Sequence, residues 1–393
     1  MVRKTIKRQP KKSIHGKKEV SVKIRKDPLK EYQETMKDSG IATVSKLSQD
    51  EAVPNVTGRV STGSLALDWA LRNPMEPGAG AGIPLGRCTE IYGPPFIGKS
   101  TLLDHIFASV QKMGGIAILA DTEISRDRHY TQRLGVDLTK LQYLEFARDS
   151  LYLENVMQAI YSSIDFWGDH YPDIPVIIGL DALGGTATRE ELEKGLVPDR
   201  KRGKKNADGE DCKEKSVQPG LAARVMHQAA RLLPGRLMGR KIGLVILNHE
   251  YEMIGGFGGG FGAKKKETYG GSGIRHVGTT RIQLYSSGVW IKRSDGVALG
   301  REVTAKLIKN RLGDSQIEIT VPILSGIGVE NIYTLFEELK AAKVIVVAGS
   351  WAALNIDGQE LKFQGWSGLK LKCTEDGTLF DRLVSVWKQS KGN

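Results

Sequence analysis

The residues best equipped for chemistry lie in one run, Gly93, Pro94, Pro95, Phe96, Ile97, Gly98, Lys99 and Ser100, which satisfies the phosphate-loop pattern GxxxxGK[ST] at every fixed position. Each residue type has a reason to be there. Glycines let the backbone turn tightly and aim N–H groups at phosphate oxygens, the lysine reaches the β- and γ-phosphates, and the hydroxyl meets Mg²⁺. The run therefore predicts a nucleotide site over Gly93 to Thr101, with Ser100 as one metal ligand. A chance glycine-rich turn has the same letters, but not the same flanks. Arg87 to Tyr92 reads as a short strand, and Leu102, Leu103, Ile106, Phe107, Val110 and Met113 recur at helical spacing until Gly114-Gly115.

Three more groups stand where such a site needs them. The apolar run Ile116 to Ala120 ends in Asp121-Thr-Glu123, the run Val176 to Leu180 ends in Asp181, and Ile242 to Asn248 leads into His249-Glu250. Continuous apolar runs of this length suit central parallel strands covered on both faces. Polar groups just past their ends fall where an open α/β sheet gathers its ligand. Asp181 fits a Walker B acid that holds Mg²⁺ directly or through water; the alternative role is a helix-capping aspartate.

The elements that position these groups alternate strand, helix, strand, which predicts a mixed, mainly parallel, doubly wound α/β sheet. Before it, Leu29 to Lys37 and Ile41 to Gln49 read as short helices, and Ser64 or Thr62 caps a helix over Leu65 to Leu71. Arg189 to Gln218 is a charged stretch read as a long mobile loop, with a helix Leu221 to Leu233 after it. Gly255 to Gly273 is glycine-rich and interleaves Phe257, Phe261, Lys264, Lys265, Lys266 and Tyr269. Alone it reads equally as a linker; at a strand end beside a nucleotide it reads as a loop whose aromatics stack on bases and whose lysines meet phosphates. Antiparallel strands follow over Arg281 to Tyr285, Val289 to Lys292, Val303 to Lys309 and Gln316 to Val321. A small α/β unit closes the chain, with helices Ile332 to Lys340 and Leu379 to Lys388, a strand Val344 to Val347 and a hairpin around Asp357-Gly358.

Charge divides the chain. Of the 393 residues, the first 30 hold twelve Lys/Arg against Glu19 and Asp27, so nearly all of the formal +12 sits there. Such a segment cannot bury enough apolar surface to fold alone, and its natural partner is a polyanion, nucleic acid before others; a targeting or solvating tail has the same composition. Three dispersed cysteines, Cys88, Cys212 and Cys373, offer neither a disulfide framework nor a zinc pattern and suit a reducing compartment. No apolar run approaches the ~20 residues of a membrane span.

From about residue 55 to 390 the chain resembles the RecA family of DNA strand-exchange recombinases. The resemblance is carried by Ser61-Thr-Gly-Ser-Leu-Ala-Leu-Asp68, Glu90-Ile-Tyr-Gly-Pro94, Tyr130 with Leu134-Gly-Val-Asp137, Gly220-Leu-Ala-Ala-Arg224 and Lys309-Asn-Arg311. It implies a DNA-dependent ATPase using ATP and Mg²⁺, which forms a helical homo-oligomeric filament on single-stranded DNA and pairs it with homologous duplex. Such a protein serves homologous recombination and DNA repair in the cytoplasm of a bacterium or phage-infected cell, with single-strand-binding and loader proteins as further candidate partners. By matching position, Glu123 is the base that activates water, Asp127 and Tyr130 are adenine contacts, and Lys309 and Arg311 reach a neighbouring subunit's ATP. The stretches 189–218 and 250–275 fall at the family's two DNA-binding loops. The expected DNA contacts are therefore Arg200, Lys201 and Arg202 in the first and Phe257, Phe261, Lys264, Lys265, Lys266 and Arg275 in the second.

Departures from the family pattern are informative. His249 stands where bacterial members have a glutamine that senses the γ-phosphate, and Asn248-His249 looks like the bacteriophage variant. The first loop carries a charged insertion, the family's acidic C-terminal tail is missing, and the basic extension has no counterpart. The expected division is a basic disordered tail over 1–27, a helical segment for subunit packing over 28–54, a RecA-like ATPase core over 55–327 and a small C-terminal α/β domain over 328–393. The rival reading is a RecA-fold ring helicase or DNA-translocating motor; a signalling or structural ATPase is the weaker one.

Overall fold

The computed structural model describes residues 28–38, 56–75, 78, 80–194, 220–252, 266–293 and 295–392. Residues 1–54 and 55–393 are separate units. In the first, helix α1 (Pro28–Asp38) carries Lys37 in its last turn, where a cation meets the negative end of the helix. The expected tail and the expected helix Ile41 to Gln49 lie outside the described residues.

The second unit opens with β1 (Arg59–Val60), helix α2 (Leu65–Leu71) and β2 (Ile83–Pro84), which pairs antiparallel with β1. Ser64 is the N-cap of α2, with its hydroxyl accepting from the Leu67 N–H; Thr62 instead hydrogen-bonds the buried Asp68 carboxylate. The nucleotide-binding half follows as β3 (Cys88–Gly93), α3 (Lys99–Lys112), β4 (Ile116–Asp121), α4 (Arg128–Arg133), β5 (Leu141–Tyr143), α5 (Leu153–His170), β6 (Val176–Asp181), α6 (Arg189–Lys194), α7 (Leu221–Leu237) and β7 (Ile242–Glu252). Next come β8 (Lys266–Thr268), α8 (Ser272–Val277), β9 (Thr280–Lys292), β10 (Ala298–Asn310), β11 (Glu318–Leu324) and β12 (Gly328–Val329).

These strands form one ten-stranded sheet in the order β12-β11-β10-β9-β3-β7-β6-β4-β5, with β8 paired to β7. Strands β9, β3, β7, β6, β4 and β5 run parallel, and the remaining pairings are antiparallel. Alternation along the strands distributes the core. Ala117 and Leu119 of β4, Ile177 of β6 and Val245 and Leu247 of β7 pack with Leu102, Leu103, Ile106 and Phe107 of α3. Ile118, Ile178, Leu180, Leu244 and Ile246 face the other way, onto Val156, Met157 and Ile160 of α5 and Met226 and Leu233 of α7. Each such side chain removed from water contributes about 1.5–3 kcal/mol.

The main departures from the sequence reading are these. The stretch from Arg189 begins as α6, because Thr188 and Glu191 form a reciprocal cap: Glu191 Oε2 accepts from the Thr188 N–H at 2.7 Å and Thr188 Oγ1 from the Glu191 N–H at 3.3 Å. α7 runs past Pro234 to the buried Leu237, and the Met238 N–H closes on the Pro234 carbonyl. The two strands read over 281–292 are the single strand β9, whose register shifts against β10 absorb the Ser286 to Gly288 irregularity. Helix α5, amphipathic but flanked by no strong cap, and a later helix over Gly365–Glu375 were not read at all.

The chain closes with α9 (Asn331–Ala341), a three-stranded antiparallel sheet of β13 (Ile345–Ala348), β14 (Trp351–Ile356) and β15 (Gln359–Gln364), then α10 (Gly365–Glu375) and α11 (Leu379–Ser390). Leu335, Leu354, Phe363, Leu369, Leu383 and Trp387 make its core, and Leu65 and Trp69 of α2 pack against it. Among the described residues no helix is long and apolar enough to cross a membrane.

Candidate nucleotide-binding site

Parallel register assembles the site. Gly93 pairs with His249 across β3 and β7, and Asp121 with Asp181 across β4 and β6. With β6 beside β7, the carboxyl ends of four adjacent strands deliver the phosphate loop, His249, Asp181 and the Asp121-to-Glu123 turn to one edge. The loop itself is shaped by close approach. A Cβ on Gly93 would sit 2.2 Å from the Leu284 carbonyl oxygen, and one on Gly98, at φ +105°, 2.5 Å from Ile323 Cδ1. Ile97 is buried and anchors the loop, Pro94 is half-buried, Pro95 and Phe96 are exposed, and the Phe96 carbonyl accepts from Arg301. Gly98 leads into α3, whose first-turn N–H groups have no acceptor within the helix.

Lys99 is the centre of the arrangement. Its buried Nζ donates to the carbonyls of Gly93 at 3.1 Å and Pro94 at 2.9 Å, and lies 3.5 Å from His249 Nδ1. His249 Nε2 is 2.6 Å from Glu123 Oε1. An ammonium has only donors, so Nδ1 is the accepting nitrogen and the ring hydrogen sits on Nε2, directed at Glu123. A line of polar contacts thus joins the phosphate-loop lysine to the carboxylate expected to be the base. Burial lowers the Lys99 pKa, with Glu123 and then Asp181 pulling it back up. Burial likewise raises the Asp121 pKa; its Oδ1 accepts from the Glu123 and Ile124 N–H groups at 3.2 and 2.9 Å and so shapes the turn that presents Glu123.

Behind His249 runs a buried polar network. Asn248, wholly buried, accepts from the His249 N–H, and its Nδ2 donates to Glu90 Oε1 and to the Tyr269 carbonyl, both at 2.9 Å. Glu90 Oε2 takes the Arg281 Nε–H at 2.6 Å. Such a pair is tolerable in the interior because each carboxylate oxygen accepts from a partner, one of them a cation. Residues Glu250 to Glu252 then pair with Lys266 to Thr268, so the glycine-rich stretch leaves and re-enters on a hairpin continuous with His249.

The donor set fits Mg²⁺ with a nucleotide. Ser100 is exposed on the first turn of α3, and Asp181 keeps Oδ1 without a hydrogen-bond partner among the described residues. No cluster of three or more acidic, histidine or cysteine side chains able to hold a metal alone occurs among those residues. Mg²⁺ needs none, because it takes one or two protein ligands and completes its shell with water and phosphate.

The other expected residues are placed as follows. Asp127 is exposed and caps α4, accepting from the N–H groups of His129 and Tyr130 at 2.8 and 3.3 Å, and the Tyr130 hydroxyl meets Thr101 Oγ1 at 3.0 Å. Lys309 Nζ donates to the carbonyls of Arg275 and His276 at 2.8 and 3.1 Å, and Arg311 to that of His276 at 3.4 Å, so both hold the carboxyl end of α8. Lys309 aligns with Arg281 and Arg281 with Glu90, three residues before Gly93, which puts these cations toward the opposite end of the strands from this chain's own phosphate loop. Arg275 pairs with Glu267 at 2.9 Å. Lys266 belongs to β8; Arg200, Lys201, Arg202, Phe257, Phe261, Lys264 and Lys265 lie outside the described residues.

Residues 29–161 match the RecA N-terminal domain. Protein RecA of Brucella suis is 30% identical over 316 residues, covering 80% of this chain and 76% of that protein. The chain belongs to the RecA family. Protein RecA of Brucella canis and of Brucella abortus match over the same extent and identity. Membership is consistent with the mixed sheet and its C-terminal unit. Sequence reasoning missed two residues beside the candidate site, Arg126, which donates to Asp181, and Asp104, which accepts from Arg126. No local pattern announces them, since the contacts span 22 and 55 positions.

Proposed function

We propose that the protein is an ATP-dependent recombinase that assembles as a filament on single-stranded DNA and catalyses pairing and strand exchange with homologous duplex. In general terms a RecA-type recombinase follows from family membership; the filament, the ATPase cycle and the bacteriophage-type character suggested by Asn248-His249 are the finer reading. The observation that carries it is the unbroken line Lys99, His249, Glu123, with β7 continuing past His249 into the stem of the glycine-rich stretch.

When bound, Mg²⁺ and the triphosphate supply the electrophilic phosphorus and disperse charge in the transition state. The chain's own groups do the rest. Lys99 exchanges the Gly93 and Pro94 carbonyls for phosphate oxygens, Ser100 and Asp181 serve the metal, and Tyr130 and Asp127 flank the base. Glu123 holds the attacking water on Oε2 while His249 keeps Oε1, and Lys309 and Arg311 bring positive charge to a neighbouring subunit's γ-phosphate. The stretches 189–218 and 250–275 would contact DNA, with single-strand-binding and loader proteins as accessory partners.

The test is ATP hydrolysis with and without single-stranded DNA, together with joint-molecule formation between a single strand and homologous duplex. DNA-stimulated hydrolysis with homology-dependent joint molecules is expected. Directional unwinding of a tailed duplex without pairing would overturn the proposal in favour of a motor.

A further inference from the structure

Arg126 lies in the turn between β4 and α4, and its side chain is only 11% exposed. One terminal nitrogen donates to Asp181 Oδ2 at 2.8 Å, the other pairs with Asp104 Oδ1 on α3, and Asp104 Oδ2 accepts from Thr131 Oγ1 of α4 at 2.9 Å. One guanidinium therefore ties the end of β6 to the second turn of α3 and to α4. Asp104 itself is 2% exposed. Well-packed apolar side chains at Asp104 and Arg126 would give comparable or greater stability, because desolvating the ions offsets most of their attraction. What the ion pair adds is geometry: a planar fork presents two terminal nitrogens at a fixed separation, one to each carboxylate, whereas a lysine has a single nitrogen on a flexible stem.

The carboxylate so fixed is the one expected to serve the metal. Among the described residues its Oδ2 is occupied and its Oδ1 is not, so the Arg126 hydrogen bond opposes rotation about the terminal torsion and leaves one oxygen for the metal side. We propose that Arg126 is a positioning residue for the metal end of the nucleotide site, holding Asp181 by Oδ2 so that Oδ1 alone accepts from the hydration shell of Mg²⁺. The proposal rests on the reading of Gly93 to Thr101 and Asp181 as a Mg²⁺-nucleotide site, and it assigns to Asp104 and Thr131 the task of holding Arg126.

Groups that orient a metal's ligands change metal affinity typically about 10- to 100-fold when removed. The experiment is binding of a fluorescent ADP analogue in excess EDTA, followed by titration with Mg²⁺, so that nucleotide affinity and the magnesium midpoint are read separately. Two variants are used. Arg126→Met with Asp104→Asn removes one buried charge of each sign and retains an acceptor for Thr131; Arg126→Lys keeps the charge but replaces the two fixed terminal nitrogens by one nitrogen on a flexible stem. Both should bind the analogue in EDTA within about twofold of the unmodified protein and need about tenfold or more Mg²⁺ to reach half of the magnesium-dependent change. An unchanged midpoint in both would overturn the positioning role. So would a loss of thermal stability and of EDTA affinity in the double variant with an unchanged midpoint in Arg126→Lys, which describes a purely structural ion pair. Failure of the unmodified protein to bind the analogue with or without Mg²⁺ would overturn the nucleotide reading itself.

Discussion

At the scale of single residues, the roles of Lys99 and Glu123 should separate cleanly. Glu123→Gln keeps an oxygen at the position that receives the His249 Nε2–H, so the contact at 2.6 Å and the folded site should survive while the base is lost. Expected is nucleotide and DNA binding close to that of the unmodified protein with hydrolysis reduced about 10²-fold or more; full hydrolysis by this variant would remove Glu123 from the role of base. Lys99→Ala, by contrast, should lose nucleotide affinity itself. A second residue, His105, makes a prediction about pH. Its imidazole is largely buried in α3, Nε2 accepts the Val329 N–H at 3.0 Å, and a Cβ on Gly328 would fall 2.3 Å from that nitrogen, so no room exists for a solvated imidazolium. Burial, reinforced by Lys112, pushes its pKa down from 6.5 to about 4. The unfolded chain therefore binds the proton more readily than the folded one. This contribution to stability is complete above about pH 6.5 and is lost as pH falls towards 4, at most about 3 kcal/mol. His105→Gln, which can accept but does not titrate, should lose less stability than the unmodified protein between pH 7 and pH 5 in denaturant melts. Equal losses would show that His105 does not report the burial seen here.

At the scale of elements, Lys309 and Arg311 hold α8 by its last carbonyls and lie away from their own phosphate loop, an arrangement suited to action on a neighbour. Mixing Lys309→Ala/Arg311→Ala protein with Lys99→Ala protein creates some interfaces with one intact site. ATP hydrolysis should partly recover in the mixture, and no recovery in filaments shown to be mixed would argue against action in trans. The elements themselves were legible in unequal measure. The phosphate loop, the three buried strands and their terminal Asp121, Asp181 and Asn248-His249 were readable because their apolar runs are continuous and their function lies at a fixed place on such strands. The reciprocal Thr188–Glu191 cap was equally readable in the letters and was missed because the surrounding charge suggested a loop. Arg126 and Asp104 were not readable, since nothing within a few residues distinguishes an arginine bound for solvent from one that will meet Asp104 and Asp181 across the fold.

At the scale of the whole molecule, the 57 basic residues are so unevenly spread that charge itself becomes a functional statement, because twelve of them fall within the first 30 positions. The family resemblance does not extend to this stretch, so its role has to be argued from electrostatics alone. A cationic segment gathers DNA by displacing condensed counterions, and each phosphate contact steepens the fall of log affinity with log salt by about 0.7 for a single strand and about 0.9 for duplex. If residues 1–26 make such contacts, removing them should weaken duplex binding chiefly at low salt and flatten that slope by several units. Hydrolysis of ATP on saturating single-stranded DNA should change little, because Lys99, Glu123, His249 and Asp181 are all carried by the sheet and its strand ends. Binding isotherms for both DNA forms between about 50 and 200 mM salt cover the range in which the effect is large. A targeting or solvating tail predicts the same slope with and without residues 1–26, and that result would end the DNA-gathering role while leaving the nucleotide site untouched.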